Sequence, residues 1–385
     1  MNWHSSRIEI SRSAYLNNLK FLKSQLPAHV RFSSVVKGNA YGHGVSPFVN
    51  LALDHGIQHF SVFNSSEAWH VYKAIGEREA EIMVMGMIEG DAIEWAVSKG
   101  IHFYIFDIDR LQNTIEAARK TGVQALVHLE LETGMNRTGL DKTDLIKILD
   151  LINENSSYVR AIGVCTHFAG AESIANYLRI EKQKVKYIEL CNFVQENHEN
   201  IPYFHACCSA GIMRYPEMIG DLARIGIMQY GFWPSFETFI EYSSDKVIKT
   251  DPLKRIISWK TKIMDIKEVK RGQYIGYGSI YLASKDVKIG LVPVGYGNGY
   301  SRSLSNVGRV LVGGKRTAVI GRVNMNLISI DVTEVPHVKK GDEVVLIGKQ
   351  GKLEISVAAF GDASNQINYE LLTRLPDYLP REIVK

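Results

Sequence analysis

Residues 31–44 read RFSSVVKGNAYGHG. After Arg31 the next five are apolar, aromatic or small, and the run carries no helical period and reads as a buried strand, which ends abruptly in Lys37 and a turn holding Gly38, Gly42 and Gly44. A strand that is apolar on both faces belongs in a parallel sheet covered by helices. The same unit recurs outward along the chain as HFSVF (59–63), EIMVM (81–85), HFYIF (102–106), QALVHLEL (124–131), VRAIGVCTH (159–167), YFHAC (203–207) and DLARIG (221–226). Helical segments alternate with these runs. Residues 65–75 form one, with Ser65 as its N-cap, and residues 141–153 another, with Leu145, Ile146, Leu149 and Ile152 on one face. A lead-in helix over 13–26 precedes the first strand. Eight strand-then-helix units in succession predict a (β/α)8 TIM-type barrel rather than an open doubly wound sheet.

After about residue 238 the pattern changes. RIISWKTKIMDIKEV, KIGLVPVGY, RVLVGGKRTAVIGRV, LISIDVTEV and DEVVLIGKQGKLEISV are short alternating strands, and KGD (340–342) and KQGK (349–352) are turns between them. A short helix is expected after Asp362. The fold class is therefore α/β plus all-β: a barrel over residues 11–238 and a C-terminal β-domain over 239–385, which the strand within residues 1–10 joins.

Two domains also suit the length, because 385 residues exceed the roughly 250 at which a single core stops growing. With 45% apolar and 22% charged residues, disordered and fibrous classes are excluded. Lys+Arg 45 against Asp+Glu 41 leaves +4, with the basic residues scattered, so nucleic acid is not an expected partner. No window suits a membrane span, and residues 1–16 lack the apolar core of a signal peptide. Cys165, Cys191, Cys207 and Cys208 form no regular framework, which suits reduced thiols in the cytoplasm.

TIM barrels build their sites where strands end, so the residues following each strand are the candidates: Lys37, the segment 132–137 with Arg137, His167, Ser209 and Arg224. A lysine in a partly dry strand end loses hydration of its ammonium form, which lowers its pKa and frees its amine for a Schiff base. A lone VVK would equally suit a surface lysine. The glycines that follow, with Tyr41 and His43 crowding the same turn, favour the chemical role. GYGNGY (295–300) lacks GxGxxG spacing and a following helix, so it is not a dinucleotide loop. His43, His167 and His205 form no HxH or HxxxH pair, and no metal is expected.

VVKGNAYGHG, ELETGMNRTG, THFAGAES, ARIGIMQYG, IGYGSIY, VPVGYGNGY and INYE follow the order and approximate spacing of the alanine racemase family, from residue 35 to residue 370. The chain resembles that family over both domains. The resemblance implies a pyridoxal 5'-phosphate (PLP) barrel followed by a β-domain, working as a head-to-tail homodimer with shared sites, and a small amino acid as substrate. Lys37 would hold PLP and act as one catalytic base, and Tyr277, in IGYGSIY, would be the other, supplied by the partner subunit. Racemisation needs two such groups, one to remove the Cα proton and one to deliver a proton from the far side. A free tyrosine titrates near about 10, so this role calls for cationic surroundings, to which His167 and Arg224 would contribute. Arg224 would face the pyridine nitrogen. Tyr41, Ser209 and the backbone N–H groups of Gly226 and Ile227 would hold the phosphate. Arg137 would orient the substrate carboxylate, with Glu130 standing where several members carry a carbamylated lysine. Met325 would offer its backbone amide to the substrate, and Tyr296 would narrow the entrance. If alanine is the substrate, the implied role is supply of D-alanine as a peptidoglycan precursor.

The sequence departs from the family at two places. Asn324, Met325 and Asn326 stand where Cys-Met-Asp is common, and Asp377, followed by Tyr378, stands where a phosphate-binding tyrosine is common. Two alternatives follow: a racemase of another amino acid, such as serine or a basic or broad range, and a non-catalytic PLP carrier on the same barrel.

Overall fold

The computed structural model describes residues 4–198, 200–244, 246, 250–364 and 368–385. The chain forms two compact units. One comprises Ala14–Lys37 and Phe48–Lys254; the other comprises the residues up to Ser13, the segment Gly38–Pro47 and Arg255–Lys385. The first strand of the chain, β1 (Arg7–Ser11), belongs to the second of these.

In the first unit lie eight parallel strands, β2 (Arg31–Val35), β3 (His59–Val62), β4 (Glu81–Val84), β5 (His102–Ile105), β6 (Ala125–Glu130), β7 (Val159–Cys165), β8 (Tyr203–His205) and β9 (Leu222–Ile225). Their order, β8-β7-β6-β5-β4-β3-β2-β9, is sequential with the last strand returning to the first. Between β8 and β9 the seam is made by a single parallel bridge, Cys208 to Arg224, and by amide bonds from Asp221 to Phe204 (2.8 Å) and from Arg224 to Cys207 (3.1 Å). The barrel is thus nearly closed, as its apolar strand runs predict. Every residue of β3, β5 and β9 is buried, which is what a strand with side chains on a packed interior and under helices requires.

The helix expected over 65–75 is present as Ser65–Ile75, but its cap is Asn64, whose side chain accepts from the Glu67 amide at 2.9 Å. Ser65 is the first helical residue instead. Asn64 sits in the extended conformation that capping needs, so the cap falls one residue earlier than the sequence suggested. Asp107 and Asp141 cap the helices Ile108–Thr121 and Lys142–Glu154 in the same way.

The second unit is a mostly antiparallel sheet of β1 with β10 (Ile257–Lys262), β11 (Asp265–Val269), β12 (Val287–Val292), β13 (Arg309–Val312), β14 (Lys315–Ile320), β15 (Ile328–Asp331), β16 (Glu343–Gln350), β17 (Leu353–Ile355) and β18 (Arg381–Val384). β1 lies between β10, antiparallel, and β18, parallel. The helix expected after Asp362 appears as Asn368–Thr373, preceded by a second helix, Val357–Ser364, that already contains Asp362; residues 365–367, part of that expectation and including Ile367 of the INYE motif, lie outside the described residues. No described helix is long and apolar enough to cross a membrane, and the four cysteines are free.

Candidate active site

At the C-terminal ends of the barrel strands, Lys37 follows β2, Glu130 ends β6, His167 follows β7, Ser209 follows β8 and Arg224 lies in β9 opposite Ser33 of β2. The strand runs end where they do because polar residues cannot continue into the packed interior, so these groups gather at one mouth. Lys37 keeps surface open to solvent, yet the protein around it takes water from its ammonium and Arg137 repels it; both lower its pKa. His167 is pushed down to about 3, first by burial and then by Arg224, Arg137 and Lys37. His167 is therefore neutral, and the positive charge expected of it is carried by the two arginines. Three cations converging on one neutral imidazole make this mouth a place for an anion.

Arg224 is buried, and four of its donors are spent within the barrel. One terminal nitrogen donates to the Nδ1 of His205 and to its carbonyl (2.9 Å); the other donates to the carbonyls of Thr166 (2.7 Å) and Ala206 (3.0 Å). Nε–H is the donor left without a partner among the described residues. The clamp also fixes a tautomer, because His205 must accept at Nδ1 and therefore carries its proton on Nε2, 3.0 Å from His128. The sequence reading missed His205 and His128 in this role; a histidine in strands β8 and β6, whose neighbours are apolar, was the available signal.

Glu130 and Arg137 meet at 3.9 Å, a loose ion pair in which Glu130 is buried and Arg137 is 57% exposed. Burial raises the Glu130 pKa, with Thr138, Arg137 and Arg224 opposing, and its Oε2 has no partner. Ser209 opens the short helix Ser209–Arg214, and its hydroxyl accepts from the Gly226 amide at 2.9 Å; Ile227 begins the turn Ile227–Tyr230. Ser209, Gly226 and Ile227 thus come together, with the amide groups at the starts of two short turns nearby.

In the second unit, the segment after Lys37 is a left-handed turn: Gly38, Asn39, Ala40, Tyr41 and Gly42 all have φ between 51° and 78°. Three of these are not glycine, at a cost of roughly 1–2 kcal/mol each. The turn is held by Gly42 N–H to Gly38 O (2.9 Å), by Val45 N–H to the Asn39 side chain (2.8 Å), and by the His43 ring against the Ala40 and Tyr41 carbonyls. Gly42 packs so closely on the Leu372 carbonyl that a Cβ there would lie 1.8 Å from its oxygen. Tyr41 is buried and rests 5.8 Å, centroid to centroid, from Tyr369. Asn39 donates to Asp377 at 2.6 Å. Tyr378 is bonded to Asn298 (2.8 Å) and the Gly297 carbonyl (3.1 Å), so in this chain it secures the loop that carries Tyr296.

Tyr277, Tyr296 and Met325 come together around a cavity of about 580 Å3, lined also by Arg302, Arg322, Asn324 and Asn326. Gly295 has no room for a side chain beside the Asn324 and Met325 carbonyls, and the bonds Tyr296 N–H to Asn324 O (2.9 Å) and Gly297 N–H to Met325 O (2.8 Å) clasp the two loops. Tyr277 is 73% exposed, between Gly276 and Gly278, both at positive φ. Arg302 and Arg322 were not singled out from the sequence, because nothing in SRSL or GRVNMN marks them before the loops are folded together.

Residues 10–234 match the family described as alanine racemase, N-terminal domain, and residues 256–383 match alanine racemase, C-terminal domain. An alanine racemase of Leptospira interrogans is 33% identical over 387 residues, spanning 99% of this chain and 96% of its own length. Alanine racemase 2 of Bacillus subtilis is 32% identical, spanning 98% of this chain and 94% of its own. Among solved structures, the alanine racemase of Bacillus anthracis, determined with bound L-Ala-P, superimposes with a TM-score of 0.89 at 29% identity, covering 100% of this chain and 96% of that one. Fold, domain order and full-length similarity agree: the chain is an isomerase, a racemase, and belongs to the alanine racemase family.

Proposed function

We propose that the chain interconverts L- and D-alanine with PLP held at the barrel mouth, using Lys37 on one face of the substrate Cα and Tyr277 of the partner subunit on the other. The observation that carries this reading is the convergence of Lys37, Arg137 and Arg224 around a neutral His167, with one donor of a buried guanidinium unspent. These residues fit an anionic, ring-nitrogen-bearing cofactor. Bound there, PLP supplies the electron sink that acidifies the substrate Cα–H.

Lys37, whose pKa burial lowers, would hold the cofactor and act as an amine base. Arg224 would offer its Nε–H to the ring nitrogen; a guanidinium keeps its proton, so it would not protonate the ring, which would restrain side reactions that need a stronger electron sink. Tyr41, Ser209 and the amides of Gly226 and Ile227 bind the phosphate. Arg137, held by Glu130, orients the substrate carboxylate, the Met325 amide supplies a second contact to it, and Tyr296 limits the size of the side chain admitted. Exposure of Tyr277 beside an open cavity supports its delivery to a second copy in a homodimer. In this reading residues 11–238 carry the cofactor and residues 239–385 carry the second base. A cytoplasmic enzyme supplying D-alanine for peptidoglycan is the corresponding role.

The test is loss of the Cα–H signal in D2O with a panel of L-amino acids, read by NMR. Alanine exchanges fastest, and Lys37→Ala abolishes exchange. No exchange with any amino acid in protein that has bound PLP overturns the proposal and leaves a carrier.

A further inference from the structure

The opposite, N-terminal end of the barrel carries a second cluster of side chains. His59, Glu81 and His102 are the first residues of the adjacent strands β3, β4 and β5, and in-register parallel pairing of His59 with Glu81 sets them side by side. Two buried nitrogens there lack a hydrogen-bond partner among the described residues, Nε2 of His59 and Nδ1 of His102. A buried, unpaired imidazole nitrogen is costly, and a site that collects two of them beside a carboxylate asks for a ligand.

We infer that this end of the barrel holds a divalent transition-metal site, with Nε2 of His59, Nδ1 of His102 and the Glu81 carboxylate as ligands. One ligand atom from each of the three residues lies within 4.8 Å of the others, and Nδ1 of His102 is 3.9 Å from the Glu81 carboxylate. Ligands about 2.0–2.2 Å from a tetrahedral ion stand about 3.4 Å apart, so modest side-chain rotation closes the set. Among the described residues this is the one group of three histidine, cysteine or acidic side chains so arranged. The donor set, two neutral imidazoles and one carboxylate, suits Zn2+ and leaves a fourth position for water.

The surroundings supply the outer shell such ligands need. His59 Nδ1 lies 2.8 Å from the Ser33 hydroxyl, which lies against that of Ser61; donation from Nδ1–H to Ser33 leaves the Nε2 lone pair free for an ion. Burial keeps both histidines neutral, as ligation requires. Arg31 opposes the ion, because it donates to Glu81 at 2.6 Å and to Tyr203 at 2.9 Å. A metal must share or displace that guanidinium at Glu81, and both side chains are partly exposed, which gives it room and an entry path. His128, whose Nε2 is also unpaired, lies beyond His102 with ring centroids 5.6 Å apart.

The test is equilibration of the purified full-length protein with Zn2+, removal of excess by gel filtration and metal counting, alongside titration with Co2+ followed by visible absorbance. One ion per chain and a tetrahedral Co2+ spectrum are expected, with His59→Gln, His102→Gln and Glu81→Gln each lowering affinity at least tenfold. Glu81 is partly exposed, so its variant tests the site without opening the core. Absence of a bound ion overturns the inference, as does an ion retained undiminished in the three variants. Racemase activity plays no part in this readout, so the two proposals fail separately.

Discussion

In the proposed reading, Glu130 supplies as an encoded charge what a carbamylated lysine would supply by modification. A carbamylated lysine depends on dissolved CO2, whereas a glutamate at the end of β6 brings its carboxylate to Arg137 without it. At 3.9 Å and with Arg137 half exposed, the pair is weak, so its effect is on aim more than on stability. Glu130→Gln is expected to raise the alanine KM about two- to fivefold with a smaller change in kcat, and activity of the unaltered enzyme is expected to be indifferent to added bicarbonate. Unchanged kinetics in the variant would remove Glu130 from the positioning of Arg137. At this scale much of the site was readable from the chain alone, because Lys37, Arg137, His167, Ser209 and Arg224 each follow or end an apolar strand run. The charge state of His167 was not readable. It depends first on burial and then on three cations brought in from other parts of the chain, and no local pattern encodes either. The proposed metal ligands were hidden for the same reason: each opens a different strand, so they share no spacing.

The left-handed turn after β2 shows how an element can be legible in composition and opaque in geometry. The glycines of KGNAYGHG announce an unusual backbone, but Asn39, Ala40 and Tyr41 adopt the same positive φ, and only the packing around them explains it. Asn39 is bonded to Asp377 and Val45, and Gly42 is pressed on Leu372. The contacts holding the turn thus come from residues more than three hundred positions away in sequence as well as from its own ends. Gly42→Ala is expected to destabilise by upwards of about 3 kcal/mol, since the obstacle is a backbone carbonyl with no rotamer to give way. A thermal midpoint within a degree of the parent's would contradict that contact. The barrel strands were legible because each is apolar throughout and bounded by polar turns. β18 was missed because REIV is short and follows a proline-flanked turn, and its pairing with β1 spans nearly the whole chain.

For the whole molecule, the folded state keeps six histidines uncharged: His43 and His102 at about 4, His167 at about 3, and His59, His128 and His205 well below their usual value, in each case first through loss of hydration. Their folded values lie below the roughly 6.5 of an unfolded chain, so between about pH 6.5 and 4 the unfolded state binds more protons and stability falls as pH falls. Glu130, raised by burial, acts in the opposite sense, one group against six. The urea midpoint is therefore expected to drop steeply from pH 7 to pH 5, and a level midpoint would show these histidines to be hydrated. The proposed division of labour between subunits permits a sharper test. Lys37→Ala and Tyr277→Ala are each expected to be inactive. If Tyr277 serves the partner's barrel, a mixed dimer of the two variants pairs the intact Lys37 of one chain with the intact Tyr277 of the other, and one of its two sites is whole. Random reassortment after mild denaturation makes half of the dimers mixed, so about a quarter of the parent activity returns. If each chain used its own Tyr277, both sites of the mixed dimer would lack one base, and mixing would restore nothing.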